Sequence, residues 1–532
     1  MVVRAKAPTF LRRRGVNSNL PAASRPRRPP GKLDVIDVCL AAAVGLSVLV
    51  VHNVPYLLQH PFWVDEAWVA DTVRARIGLT PSLASSTPLG WTLLLRLVPF
   101  GGAQRLRLVP LAFTMLAAAT AYLFGRELRL TRFSTGILTG AAALLSPAML
   151  VRDDLKQYTA EAFACLVLWV LVARIENEWR LRRLIALAAV ASAGLLFANT
   201  VILVGIAAIG SLALECLVKR HYRRLLDLAG ASAGMLVVSL AIYEAVVRPQ
   251  ITRNLVSYWA GYYVPTRSPS AAISFIHFRL DQLAPYLGFR SLVVDAVLVL
   301  AGIAALLWLR RFALAAMFPM TLAIVIVGSA ARKYPFGDLR TSTFWLVAAP
   351  VLMAVAVAAA GHWAAAIDRR VPLVAAVLAL AVWVPVTDTY IRSREIPHED
   401  ARSQVVYVDA HFRPGDVIIV SYAASYAFAY YYPLARPSFP ASSAGPNGHV
   451  VAYPGAPWIV VMTNRRAVDV ANALAAARTK IAAEPDPARA RIWIIRSHLA
   501  RTEIHAWRRD LAGARVTTIP VGPEPLLLDA PS

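Results

Sequence analysis

Apolar residues in this chain fall in long unbroken runs separated by short basic linkers. The pattern is neither the period-two alternation of half-buried strands nor the one-sided stripe of a surface helix. It predicts about eleven membrane-spanning helices. The runs cover 35–58, 106–124, 135–150, 158–173, 184–218, 225–247, 292–309, 312–330, 344–366 and 371–390. At 1.5 Å per residue, one helix over 184–218 would far exceed a hydrocarbon core of ~30 Å. That run therefore predicts a hairpin turning near Ala198-Asn199-Thr200.

Composition supports lipid as the main solvent. Of 532 residues, 58% are hydrophobic, and the mean hydropathy is +0.54. Soluble domains lie nearer ~45–50% apolar. Only helices and closed barrels satisfy their backbone in lipid, and the length of the runs selects helices.

A net charge of +24 would suggest nucleic acid in a soluble protein. Here the cations cluster between apolar runs, as the positive-inside rule requires. With the N-terminus in the cytoplasm, GRELRLTR, RIENEWRLRR, KRHYRR, LRR at 309–311 and DRR at 368–370 all face inward. The Pro-rich tail 1–33 carries Arg4, Lys6, Arg12, Arg13, Arg14, Arg25, Arg27, Arg28 and Lys32. It reads as disordered and held at an anionic membrane surface, and no nucleic-acid partner is expected. Cys39, Cys165 and Cys216 fall inside apolar runs, with no disulfide framework or metal spacing. No cleavable signal peptide is evident.

After residue 391 the pattern changes. Short β-branched runs, VVYV, DVIIV, WIVVM, RIWII and VTTI, alternate with helix-compatible stretches such as RAVDVANALAAARTK. The organisation expected is a basic cytoplasmic tail (1–33), a mostly α transmembrane domain (34–391) and a small extracytoplasmic α/β domain (392–532). The outer loops are 59–104, 151–157, 248–291 and 331–343. No glycine-rich nucleotide loop follows the strands.

Candidate chemistry gathers in those outer loops. Asp65 and Glu66 follow the first span, ringed by Phe62, Trp63 and Trp68. Carboxylates there are costly to desolvate without purpose. One could accept a proton from a sugar hydroxyl, or hold a metal. The plain alternative is a solvated acid pair beside an aromatic belt. Asp153 and Asp154, with Arg152 and Lys156, form a second cluster on the same side. Alone they also suit a helix N-terminus. Glu161, inside the next span, either pairs with Lys156 or lines the site.

Arg332, Lys333 and Arg340 flank Tyr334 on the outer face, against the positive-inside bias. Binding a lipid phosphate would explain them, and snorkelling to head groups is the alternative. Arg248, Arg253, Tyr258, Trp259, Tyr262 and Tyr263 could add aromatic platforms from the long loop. His60 and His277 have no metal-site spacing and read as structural.

The order of these features resembles the GT-C superfamily of membrane glycosyltransferases. It most resembles the branch of protein O-mannosyltransferases and the lipid A aminoarabinose transferase (glycosyltransferase family 39-like). Asp65-Glu66 matches the acidic pair after the first span. Thr87 to Trp91, TPLGW, resembles the Thr-Pro-Pro-Leu-Tyr segment, with Leu89 in place of the second proline. Gln104 to Pro110, QRLRLVP, resembles the Arg-Leu-Pro start of the second helix, and Asp153-Asp154 the second acidic site. The resemblance covers roughly 35–390.

It implies inverting transfer of a sugar from a polyprenyl-phosphate donor to a glycan, lipid or protein acceptor outside the cytoplasm. Asp65 would be the base. Glu66, Asp153 or Asp154 would orient the acceptor. Lys156, Arg332, Lys333 and Arg340 would bind the donor phosphate. Trp63, Tyr158 and Tyr334 would contact sugar or lipid. Members of the family differ in the use of a divalent metal (Mg, Mn or Ca), which Asp65 and Asp153 would hold. Competing readings are a flippase for lipid-linked sugars and a non-catalytic envelope assembly protein. The polar residues lie in outer loops with no internal repeat, which favours surface chemistry over transport.

Overall fold

The computed structural model describes residues 34–76, 78, 83, 87–98, 103–131, 133–151, 154–251, 253–365, 370–394, 399–442 and 448–529. The basic tail 1–33 and the candidates Arg152 and Asp153 lie outside these residues. The helices of the first part are α1 (Val35–Leu46), α2 (Val64–Arg74), α3 (Leu89–Leu95), α4 (Leu108–Glu127) and α5 (Ser134–Leu144). Then follow α6 (Tyr158–Asn177), α7 (Leu181–Gly194), α8 (Val201–Val218), α9 (Tyr222–Ile242) and α10 (Pro269–Leu283). The last four are α11 (Leu292–Trp308), α12 (Phe312–Ala330), α13 (Leu339–Ala364) and α14 (Val371–Arg394).

Among the described residues, six helical stretches are long and apolar enough to cross a membrane: Gln104–Glu127, Tyr158–Asn177, Val201–Val218, Tyr222–Gln250, Phe312–Ala330 and Leu339–Ala364. Val35–Val51, Ser134–Leu144 and Leu292–Trp308 are shorter apolar helices. The long run 184–218 does break, between α7 and α8, where Ala198 and Asn199 turn the chain. The first run ends sooner than the expected 58, because Asn53 takes a left-handed conformation (φ 43°) and restarts a short helix at Val54. The loop expected at 248–291 contains α10, whose start is capped by the Ser268 hydroxyl accepting from Ala271 N.

Small residues let these helices approach closely. A Cβ on Gly125 of α4 would lie 2.3 Å from Thr139 Oγ1 of α5, and one on Gly302 of α11 would lie 2.2 Å from the Leu352 carbonyl oxygen of α13. Leu226, Leu236, Val237 and Leu240 of α9 stay exposed, the pattern of a helix whose partner is lipid.

The C-terminal part carries α15 (Ala401–His411), β1 (Val417–Val420), α16 (Ser425–Tyr431), β2 (Ile459–Val461) and α17 (Ala467–Ala482). β3 (Ile492–Ile495), α18 (Arg501–Asp510), β4 (Val516–Ile519) and β5 (Leu526–Asp529) complete it. One sheet of order β2-β1-β3-β5-β4 is parallel across the first three strands and antiparallel at β5 and β4.

One strand expectation is corrected, and one strand appears that was not expected. VVYV is helical, within α15. Gln404, Val405 and Val408 share one buried face at helical spacing, and Asp400 caps the start by accepting from Ser403 N. Tertiary burial and the cap override β-branched propensity. β5, the LLLD segment, carries no β-branched signal and is recruited by pairing with β3 and β4.

The sheet's two faces part company. Val417, Ile419, Ile492 and Ile494 pack on α17 and α18. Ile418, Val420, Trp493 and Ile495 join a core that includes α15, α16 and α2, with Phe62, Trp68, Val69 and Trp91. Strand alternation therefore binds the C-terminal domain to the very helix that carries Asp65.

Candidate active site

α2, buried from Glu66 through Val73, lies between the transmembrane helices and the C-terminal sheet. It begins with acids because a helix N-terminus favours negative charge. Consecutive residues on a helix point in different directions, so Asp65 and Glu66 have different surroundings. Glu66 is buried, and both of its oxygens are engaged. It forms a bidentate pair with Arg107 through Nε at 2.8 Å and through Nη2. It also accepts the Leu155 N–H at 3.2 Å and the Trp63 N–H at 3.4 Å. Arg107 in turn donates to the Leu57, His60 and Pro61 carbonyls at 2.5, 2.7 and 3.1 Å.

Asp65 turns the other way, toward Arg340. Its Oδ2 lies 3.4 Å from Arg340 Nη1. Arg340 sits in the first turn of α13. Its own N–H and Nε bond to Asp338 Oδ1 at 2.9 and 3.1 Å, and Nη2 donates to the Tyr258 hydroxyl at 2.6 Å. The guanidinium also lies over Tyr258 and Trp259, 5.5 and 5.2 Å from the ring centres.

Lys156 brings a second cation. Its ammonium lies 4.7 Å from the Trp68 ring centre, and the residue is buried. Burial pulls its proton affinity below the usual lysine range, against the opposing pull of Asp65 and Asp154. The chain is held in place there by Leu155, whose carbonyl accepts from Trp91 Nε1 at 2.8 Å while its N–H goes to Glu66. Asp154 is buried and accepts the Lys156 N–H at 3.1 Å. Tyr158 is linked electrostatically to Arg340, and Tyr334 to Tyr158 and Asp338. The Tyr334 hydroxyl donates to the Thr341 carbonyl at 2.6 Å, and burial holds its proton affinity well above the usual phenol range.

The structure therefore brings together Asp65, Asp154, Lys156, Tyr158, Tyr334 and Arg340, from two loops and the first turns of three helices. Trp63 caps α2 and is half-buried. Arg332 and Lys333 do not join the group. They are exposed just past the end of α12, where Arg332 takes the left-handed conformation (φ 55°) that stops the helix. Glu161 takes Gln157, 3.4 Å away, and not Lys156. His60 bonds the Pro61 carbonyl at 2.7 Å, and His277 is exposed. Among the described residues no three His, Cys, Asp or Glu side chains come together as a metal-ligand group. A cavity of about 390 Å³, lined by Glu176, Glu215, Lys219 and Arg311, lies at the other end of α6, about 27 Å along its axis from Tyr158.

Three residues absent from the sequence-based set stand out. Arg107 was visible within QRLRLVP, though its buried partner was not. Glu399 and His498 come from the C-terminal domain. Glu399 Oε2 accepts the Val64 N–H at 3.0 Å, and its Oε1 lies 2.5 Å from His498 Nδ1. No spacing links residues so far apart in sequence.

The Glu399 hydrogen bond raises the proton affinity of His498 above its ordinary 6.5. The ion pair contributes stability that is fully present below 6.5 and is lost as pH rises through the elevated folded value. The thermal midpoint of the detergent-solubilised protein should therefore fall as pH is raised above that range. Glu399→Gln should flatten the dependence, and an identical slope in both proteins would refute the assignment.

No protein-family model matches the chain, and no curated protein does. Solved structures do. The crystal structure of ArnT from Cupriavidus metallidurans bound to undecaprenyl phosphate matches with TM-score 0.56 and 16% identity, over 92% of this chain and 97% of that one. The same protein in the apo state matches with TM-score 0.55 and 15% identity, over the same shares. The chain thus has a GT-C-like fold, as the sequence resemblance implies. With its apolar helices, it is a multi-pass membrane protein.

Proposed function

We propose that this protein is a membrane glycosyltransferase that moves a sugar from a polyprenyl-phosphate donor to an envelope acceptor, with Asp65 as general base. The observation that carries this reading is the 3.4 Å contact between Asp65 and Arg340. The fold of a protein crystallised with undecaprenyl phosphate supports it. In this reading about eleven spans cross the membrane, with the N-terminus inside and the sheet domain outside.

Before donor binds, Arg340 neutralises Asp65. The donor phosphodiester carries one negative charge and two free oxygens that match the guanidinium fork, so it competes with Asp65 for Arg340. Donor binding draws Arg340 onto the phosphate and frees the carboxylate. Lys156 adds a point charge on the same group. Asp65 then takes the acceptor's hydroxyl proton as that oxygen attacks the anomeric carbon. The carbon–oxygen bond to phosphate breaks on the opposite face, so the anomeric configuration inverts with a single base. The phosphate leaves as an anion stabilised by the two cations. Glu66 positions the site through Arg107 and Leu155, and Asp154 orients Lys156. Tyr158, Tyr334 and Trp63 are proposed sugar or lipid contacts. The cations facing Asp65 suit an anionic donor better than a divalent metal, so no step is assigned to a metal.

Lipid binding tests this directly. Undecaprenyl phosphate and phosphate-free undecaprenol would be titrated onto the full-length protein in nanodiscs. Arg340→Gln and Lys156→Met should each weaken binding of the phosphate lipid by about tenfold or more, the value of a charge-assisted hydrogen bond. Binding of undecaprenol should be unchanged. Equal affinity of wild type for the two lipids would exclude phosphate recognition.

A further inference from the structure

The loop after β3 brings His498 to the first turn of α2. Its backbone is left-handed (φ 51°), a conformation uncommon outside glycine. Its Nδ1 is 2.5 Å from Glu399, and Glu399 is fixed at its other oxygen by the N–H of Val64, the residue before Asp65. Glu399 is buried, while the His498 side chain is 49% exposed. A carboxylate on Nδ1 keeps the proton on that nitrogen. In the neutral ring Nε2 then carries the lone pair, and no described residue hydrogen-bonds it. The charged groups around the ring are Glu399, Asp65, Arg465 and Glu503. Glu399 and Asp65 raise its proton affinity, and Arg465 and burial oppose them.

We propose that the Glu399–His498 pair is the proton outlet of the transfer site: His498 Nε2 receives, directly or through one water, the proton that Asp65 takes from the acceptor hydroxyl, and hands it to solvent. The inference rests on Asp65 being the base. The acceptor O–H bond breaks as the oxygen bonds the anomeric carbon, and the electron pair of the broken carbon–oxygen bond leaves with the phosphate. The proton passes from Asp65 to Nε2 and then to water, returning the carboxylate for the next cycle. The exposures suit this direction. Asp65 is only 20% exposed before any substrate covers it, whereas His498 reaches solvent. His498 acts through Asp65, as a positioning residue, and Glu399 holds the ring in the receiving tautomer.

His498→Gln separates this role from a structural one, since an amide can still donate to Glu399 but cannot take a proton. The assay uses full-length protein in membranes with a radiolabelled polyprenyl-phosphate sugar fraction extracted from the native envelope. His498→Gln should lower kcat by about tenfold or more, with KM within about twofold. The acid limb of the pH–rate profile, set in the wild type by the His498 ring, should move down toward the carboxylate range. His498→Ala should recover part of its lost rate on addition of free imidazole. Wild-type rate and profile in His498→Gln would overturn the proposal, as would a loss with an unmoved acid limb and no imidazole rescue. Asp65→Asn measured alongside keeps the failures apart. If it is inactive while His498→Gln is normal, the outlet fails and the base stands. If it is fully active, the base reading itself fails.

Discussion

Asp65→Asn is expected to lower sugar transfer by about a hundredfold or more, the usual contribution of a positioned general base. The substitution is nearly isosteric and keeps an oxygen for Arg340 Nη1, 3.4 Å away in the wild type. It removes the negative charge and with it the ability to take a proton. The core around α2, built from Phe62, Trp68, Val69 and the sheet residues Trp493 and Ile495, is untouched. Expression and thermal midpoint should therefore match the wild type. Undecaprenyl phosphate should bind at least as tightly, because a negative charge near its phosphate is gone. Transfer at the wild-type rate by a folded Asn variant would end the case for Asp65.

Arg107→Ala should have the largest effect on stability. Its guanidinium and the Glu66 carboxylate are almost fully buried, with side chains 4% and 1% exposed. Removing the arginine leaves Glu66 buried without its countercharge and frees three carbonyls, of Leu57, His60 and Pro61. Breaking one side of a buried pair costs about 3–5 kcal/mol. Activity should fall with stability, since the Leu155 N–H, also bonded to Glu66, sets the position of Lys156. Arg107→Met combined with Glu66→Met should recover much of the loss, because no buried charge is left unpaired. Thermal unfolding of the single and double variants in detergent measures this. An Arg107→Ala protein as stable as wild type would show the pair to be dispensable.

These two residues also show where sequence reading ends. Asp65 and Glu66 are neighbours, and the sequence offers no reason to separate them. Helix geometry does, turning Glu66 into the interior to meet Arg107 and Asp65 outward to meet Arg340. Likewise Arg332, Lys333 and Arg340 share one short segment. The end of α12 leaves the first two exposed, and the Asp338 cap on α13 aims the third at the site. VVYV misled because β-branched residues at helical spacing bury just as well on one helix face.

What the sequence determined is whatever depends on the chain locally. Long apolar runs set the apolar helices, the break near Asn199 follows from a fixed rise per residue, and short loops connect the helices. Those loops then hold the candidate acids and cations. What only the tertiary structure decided depends on pairs far apart in the chain. Arg340 reaches Asp65, Leu155 is held between Trp91 and Glu66, and Glu399 and His498 meet the start of α2. The physical reason is that periodicity records which face of an element is buried, whereas a site depends on which partner covers that face. The two-faced sheet, one side on its own helices and the other on α2, supplies that partner here.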